Sequence, residues 1–191
     1  MRRIGAWLAL AFLLAGCTTP GRSTGDDERP SRPVQRADCV VSDPQGEVIL
    51  HPGTLAPGHR TEVLGAGLLG ERNLAIIEAS AVPFSGSPQV HGIIRDYPPK
   101  KNAGIADSLA DWDTRRPLAG LRIGPADGQQ AVLVAVRLVD ARSPGRVKGV
   151  RVSTRAADGT RQDELAQPVL VLPHSGRCDV AAYDSTTAWT D

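Results

Sequence analysis

The chain has 191 residues, 22 of them Lys or Arg against 21 Asp or Glu, for a formal charge of +1. That length holds one domain with flanking segments, and a ~150-residue domain buries about two-thirds of its unfolded surface, so a hydrophobic core is feasible. A charge so evenly balanced supplies no field for nucleic acid or for a polybasic membrane contact, and both partner classes are set aside.

The chain begins with Arg2 and Arg3, an apolar run from Ile4 to Leu14, and the small residues Ala15 and Gly16 before Cys17. This is the layout of an export signal. An uncleaved membrane helix needs about 20 predominantly apolar residues, and Thr18, Thr19 and Pro20 end the run sooner. Leu14-Ala15-Gly16-Cys17 resembles the lipobox of bacterial lipoproteins. The resemblance implies cleavage before Cys17, a diacylglyceryl group on its thiol, and a lipid anchor on the extracytoplasmic face of the cell membrane. Stable anchoring takes two or more acyl chains, at about 0.8 kcal/mol per buried methylene. Loss of the first 16 residues removes Arg2 and Arg3 and leaves 20 basic against 21 acidic side chains.

Residues 17–37, the lipidated cysteine and the segment after it, read as a tether. Pro20, Pro30, Pro33, Gly21 and Gly25 fall here with almost no large apolar residue, too little to offset the entropy of ordering. The folded domain is expected over 38–183, with 184–191 as a C-terminal tail.

From Cys39 onward the pattern predicts strands. Cys39–Val41 stops at the turn-forming Asp43-Pro44-Gln45-Gly46, and Glu47–His51 stops at Pro52-Gly53. Thr61–Leu69 and Leu74–Val82 come next, joined by Gly70-Glu71-Arg72-Asn73, and then the shorter Val90–Arg95. Ile105, Leu109 and Trp112 break the pattern at helical spacing. Asn102–Trp112 is therefore predicted as a short surface helix in a long crossover, with Asn102 as its cap and Pro117 preventing continuation.

Ala131–Val139 is the strongest strand. Val132, Val134, Val136 and Leu138 share one face, and Ala131, Leu133, Ala135, Arg137 and Val139 share the other. Being apolar on nearly both faces, it belongs in the middle of a packed structure. Val147–Arg155 and Gln162–Ala166 flank Asp158-Gly159, a strong hairpin signal. Val169–Leu172, bounded by Pro168 and Pro173, is the last strand before Cys178.

With Cys17 assigned to lipid, Cys39 and Cys178 remain. In an exported protein they read as one disulfide, against the alternative of two buried free thiols. Such a bridge contributes about 4–5 kcal/mol in the chain-entropy model and ties the first strand to the last. About eight short strands with Gly, Pro and Asp turns predict a mainly β, antiparallel sandwich with one short helix. Arg116-Pro117-Leu118-Ala119-Gly120, the strand Ala131–Val139, Asp158-Gly159 and Cys178 together resemble uncharacterised actinobacterial membrane-anchored proteins. An Arg-rich, Lys- and Asn-poor composition fits the GC-rich genome of such a source. The resemblance implies an immunoglobulin-like sandwich and carries no catalytic or binding residue.

Chemistry-bearing residues are sparse. His51, His59, His91 and His174 have no metal-ligand spacing, and His51, His59 and His174, each within two residues of a Pro or Gly, read as surface turn residues. Asp107, Asp111 and Asp113 lack the pattern of a calcium loop and read as a solvated helix face. Ser85-Gly86-Ser87-Pro88 is not a nucleophile elbow. Neither catalysis nor a cofactor is expected. The candidate partner surface is the crossover, through Phe84, Tyr97, Lys100, Lys101, Asp107, Asp111 and Trp112, because aromatic residues carry disproportionate interface energy. The competing role for Phe84, Tyr97 and Trp112 is to cover one end of the core. The chain thus reads as a membrane-anchored binding or assembly module of the cell envelope with an unknown protein partner. The alternatives are a small-ligand or metal-binding lipoprotein and an envelope hydrolase.

Overall fold

The computed structural model describes residues 37–84, 92–99 and 112–179. Cys17, the signal peptide, the tether and the C-terminal tail lie outside these residues. So does the helix expected at Asn102–Trp112, save Trp112, which opens a single 3-10 turn, Trp112–Thr114.

Among the described residues, ten strands form two five-stranded sheets. They are β1 (Asp38–Val41), β2 (Glu47–Leu55), β3 (Thr61–Leu69), β4 (Leu74–Pro83), β5 (Gly92–Ile94), β6 (Arg116–Pro117), β7 (Arg122–Ile123), β8 (Gln130–Leu138), β9 (Gly145–Ala156) and β10 (Gly159–Leu172). The first sheet has the order β1-β10-β9-β3-β7 and the second β5-β2-β8-β4-β6. All neighbours are antiparallel except β1 and β10, which run parallel.

The period-two pattern of β8 translates directly into this architecture. It is the central strand of its sheet. Val132, Val134, Val136 and Leu138 enter the core between the sheets, where Val48 and Leu50 of β2 lie beside them. Val147, Val150 and Val152 of β9 and Val169 and Val171 of β10 belong to the same core. Ala131, Leu133 and Ala135 point to the other face and form a second buried cluster. The hairpin expected at Asp158-Gly159 joins β9 to β10, with Gly159 opposite Ala156.

Two prolines expected to end strands do not end them. The second sheet's register shifts between Leu50 and Gly53, and β2 continues through Pro52 to Leu55. The register of β10 on β9 shifts between Ala166 and Val169, which places Pro168 in a bulge of one 14-residue strand. A bulge leaves a residue outside the ladder, so the missing proline N–H costs nothing there. The two-residue β6 and β7 are too short to carry periodicity, and none was expected. They lie on a segment that pairs first with β4 and then with β3, closing one flank between the sheets.

The turn at Asp43 forms as its composition predicts, the carboxylate accepting from the backbone N–H groups of Gln45 (2.9 Å) and Glu47 (2.8 Å). Asn73 fixes another loop. Its Nδ2 donates to the carbonyls of Asp140 (3.0 Å) and Ser143 (2.7 Å), and its Oδ1 accepts from the Asp140 N–H (2.7 Å). It thereby shapes the connection from β8 to β9.

Cys39 and Cys178 are bonded, across a sequence separation of 139 residues. The bond ties edge strand β1 to the chain just beyond β10. At that loop length the chain-entropy model gives about 5 kcal/mol. Replacing both cysteines by serine should lower the unfolding free energy by up to that amount in urea denaturation, and reduction of the native protein should reproduce the shift. An unchanged midpoint would mean that the bond carries no stability.

Candidate functional site

The outer face of the second sheet is not solvated. Ile49, Val82, Ile94, Ala131, Leu133 and Ala135 are buried there. Their cover comes from the two ends of the long connection between β5 and β6. Tyr97 and Trp112 pack on the cluster, and their rings meet edge to face at 6.2 Å.

One charge holds this cover in place. A register shift between Ile76 and Glu78 puts Glu78 opposite Ala135, so its side chain shares the outer face. The Tyr97 hydroxyl donates to Glu78 Oε2 at 2.5 Å, and Arg115 Nε donates to Oε1 at 2.7 Å. The Arg115 guanidinium also lies 4.5 Å from the centre of the Trp112 ring, a cation–π contact. Burial pulls the Glu78 carboxyl upward, but the hydrogen bonds from Arg115 and Tyr97 and the charge of Arg115 outweigh it. The group is held below the usual carboxylate range. The hydrogen bond to Glu78, and then burial, push the Tyr97 phenol up. Acid and phenol thus move away from neutrality in opposite directions. Through these contacts Glu78 and Arg115 clamp the two rings onto the outer face.

The expected site residues fall as follows. Phe84 is 6% exposed, its ring edge-on to His51 at 5.5 Å; it supports the outer face from within. Tyr97 and Trp112 are brought together, while Lys100, Lys101, Asp107 and Asp111 lie outside the described residues. Glu78 and Arg115 are absent from the sequence-derived set. The one available signal was the lone charge in the apolar run Leu74–Val82.

Of the histidines read as surface turn residues, His51 is a correction. It is completely buried in β2, because the strand runs on through Pro52 rather than ending there. His59 and His174 are exposed, and His174 Nδ1 lies 3.1 Å from the Ser42 carbonyl oxygen. His91 lies outside the described residues. Among the described residues no three His, Cys, Asp or Glu side chains group as metal ligands.

Two clefts open at one end of the sandwich. The first, of about 620 Å³, is lined by Leu55, His59, Thr154, Arg161 and Asp163 among others. The second, of about 770 Å³, has Arg60, Glu62, Arg122, Asp127 and Arg155 on its walls. Thr61, Ile123 and Ala156 are common to both.

No family model matches the chain, and neither a curated protein nor a solved structure does.

The clamp has a pH signature. Because the folded pKa of Glu78 is depressed, its stabilisation is present above the unfolded carboxylate value and is lost as pH falls through the folded one. Glu78→Gln should cost about 1–2 kcal/mol at neutral pH, and the gap to the native protein should narrow as pH falls from neutrality to below the unfolded carboxylate value. Urea unfolding of both proteins across that range measures it, and a gap independent of pH would exclude the ionised clamp.

Proposed function

We propose that the protein is an extracytoplasmic lipoprotein, held to the membrane by lipid on Cys17, whose sandwich is a non-catalytic binding or assembly module of the cell envelope. The observation that carries this reading is the pairing of cysteines. Of the three in the chain, Cys39 and Cys178 are bonded to each other, a chemistry suited to an oxidising compartment. The third stands after Leu14-Ala15-Gly16, where lipidation consumes it.

An immunoglobulin-like topology is part of the proposal. The orders β2-β8-β4 and β10-β9-β3 can be laid on the B-E-D and G-F-C strands of such a domain. The disulfide would then join the first strand to the chain beyond the last, in place of the usual B–F bridge.

The proposed partner surface is the outer face of the second sheet around Tyr97 and Trp112. Both are half-buried, so part of each ring stays open, with Arg115 stacked beside them. Trp, Tyr and Arg are the residue types that dominate interface hot spots. The charged stretch that includes Lys100, Lys101, Asp107 and Asp111 joins the two aromatic residues in sequence.

Cys17→Ala should abolish detergent-phase partitioning and membrane retention of the processed protein. Partitioning unchanged by that substitution would remove the anchor from the proposal.

The surface is tested by crosslinking in intact cells, with stability measured on the same variants. Tyr97→Ala or Trp112→Ala should weaken partner capture by about 2 kcal/mol or more, roughly 30-fold. If both variants lose only stability, and charge reversal at Lys100, Lys101, Asp107 and Asp111 leaves capture intact, the crossover serves the fold alone.

A further inference from the structure

We infer that the arginine-lined cleft at the end of the sandwich is a binding site for an acidic carbohydrate, one whose sugar or polyol units carry carboxylate or phosphate groups. The inference is independent of the lipid anchor and of the Tyr97–Trp112 surface.

The argument starts from register. Glu62 of β3 lies opposite Arg122 of β7 on one side and Arg155 of β9 on the other. The three side chains therefore share the outer face of the first sheet, with the two arginines about 10 Å apart across two strand spacings. Arg60, immediately before β3, adds a third guanidinium to the same cleft of about 770 Å³. That volume falls within the range of ligand pockets.

Four other arginines are engaged in ion pairs. Arg115, Arg137, Arg151 and Arg161 each hold a carboxylate, that of Glu78, Glu47, Glu164 and Asp158 respectively. Among the described residues, Arg60, Arg122 and Arg155 hold none, although register sets Glu62 between two of them. Opposed charges in a ladder ordinarily close into pairs worth a few tenths of a kcal/mol. Here they remain open around a concavity.

The lining narrows the ligand class. Guanidinium groups bind carboxylate or phosphate through two parallel hydrogen bonds. Glu62 and Asp127 can only accept, so they suit hydroxyl donors; Asp127 already accepts from the Gly124 N–H at 2.8 Å. Pro125, Ala126, Ala156 and Ala157 give an apolar shelf for the C–H face of a sugar ring. Among the described residues no aromatic side chain lines the cleft, so they offer no platform for stacking nucleic-acid bases. With three cations against two anions, the cleft attracts a matched anionic oligomer, not any polyanion at long range.

The test uses the full-length protein in an uncharged detergent, titrated calorimetrically with a galacturonate hexamer, an oligo(glycerol phosphate) and a neutral maltohexaose. One of the two acidic oligomers should bind, and which one does identifies the anionic group; the neutral oligomer should not bind. Arg122→Gln and Arg155→Gln should each weaken binding about 10-fold or more, and Arg155→Lys should restore only part of it because the bidentate contact is lost. Arg95→Gln, an exposed arginine outside the cleft, should leave binding unchanged. Absence of binding to both acidic oligomers at low salt overturns the inference. So does an equal loss from Arg95→Gln, which would reduce the effect to general charge.

Discussion

A central strand apolar on both faces sets the terms for the rest of this structure. Leaving either face of β8 in water would expose valine, leucine and alanine side chains, at about 25 cal/mol per Å² of apolar surface. The first sheet covers one face. Among the described residues no further sheet covers the other, and that task falls to Tyr97 and Trp112, at the two ends of the long connection between β5 and β6.

Cover of this kind needs a fastener, because Tyr97 and Trp112 stand outside the strands and have no ladder to hold them down. Glu78 supplies one, binding Tyr97 and Arg115 at once, while Arg115 stacks on Trp112. The register break beside Ile77 makes this possible by turning Glu78 to the outer face. Glu47 makes a comparable contact farther along the same face. It is 5% exposed and accepts from Arg137 Nε at 2.8 Å, where the apolar side of β8 gives way to charge. Both acids bond to an arginine on the same sheet face.

The two ends of the folded domain meet by a different device. Edge strand β1 pairs with β10 over four residues only, a short ladder to hold a terminus. The disulfide to Cys178 reinforces it by lowering the entropy of the unfolded chain. Both clefts open among loops elsewhere, at the end of the sandwich where β3 and β7 meet β9. Arg60, Arg122 and Arg155 line one of the two clefts there.

The mainly β class, the central place of β8, the β9–β10 hairpin and the partnership of Cys39 with Cys178 are legible in the sequence. Each rests on local pattern or on simple counting. A period of two, a two-residue turn and an even number of remaining cysteines need no knowledge of what lies across the core. Pro52 and Pro168 mislead as strand ends because a proline's cost depends on whether a bulge places it outside the ladder, and that is a property of the partner strand. His51 is misplaced with them. Glu78 is visible only as a lone charge, since the bulge that turns it outward leaves no mark on residue type. The cleft arginines are hidden for the same reason. Arg60, Arg122 and Arg155 are scattered along the chain, and only the pairing of β3 with β7 and β9 sets them around one concavity. Local periodicity determined which segments are strands; cross-strand register, which depends on residues far apart in sequence, decided what those strands bring together.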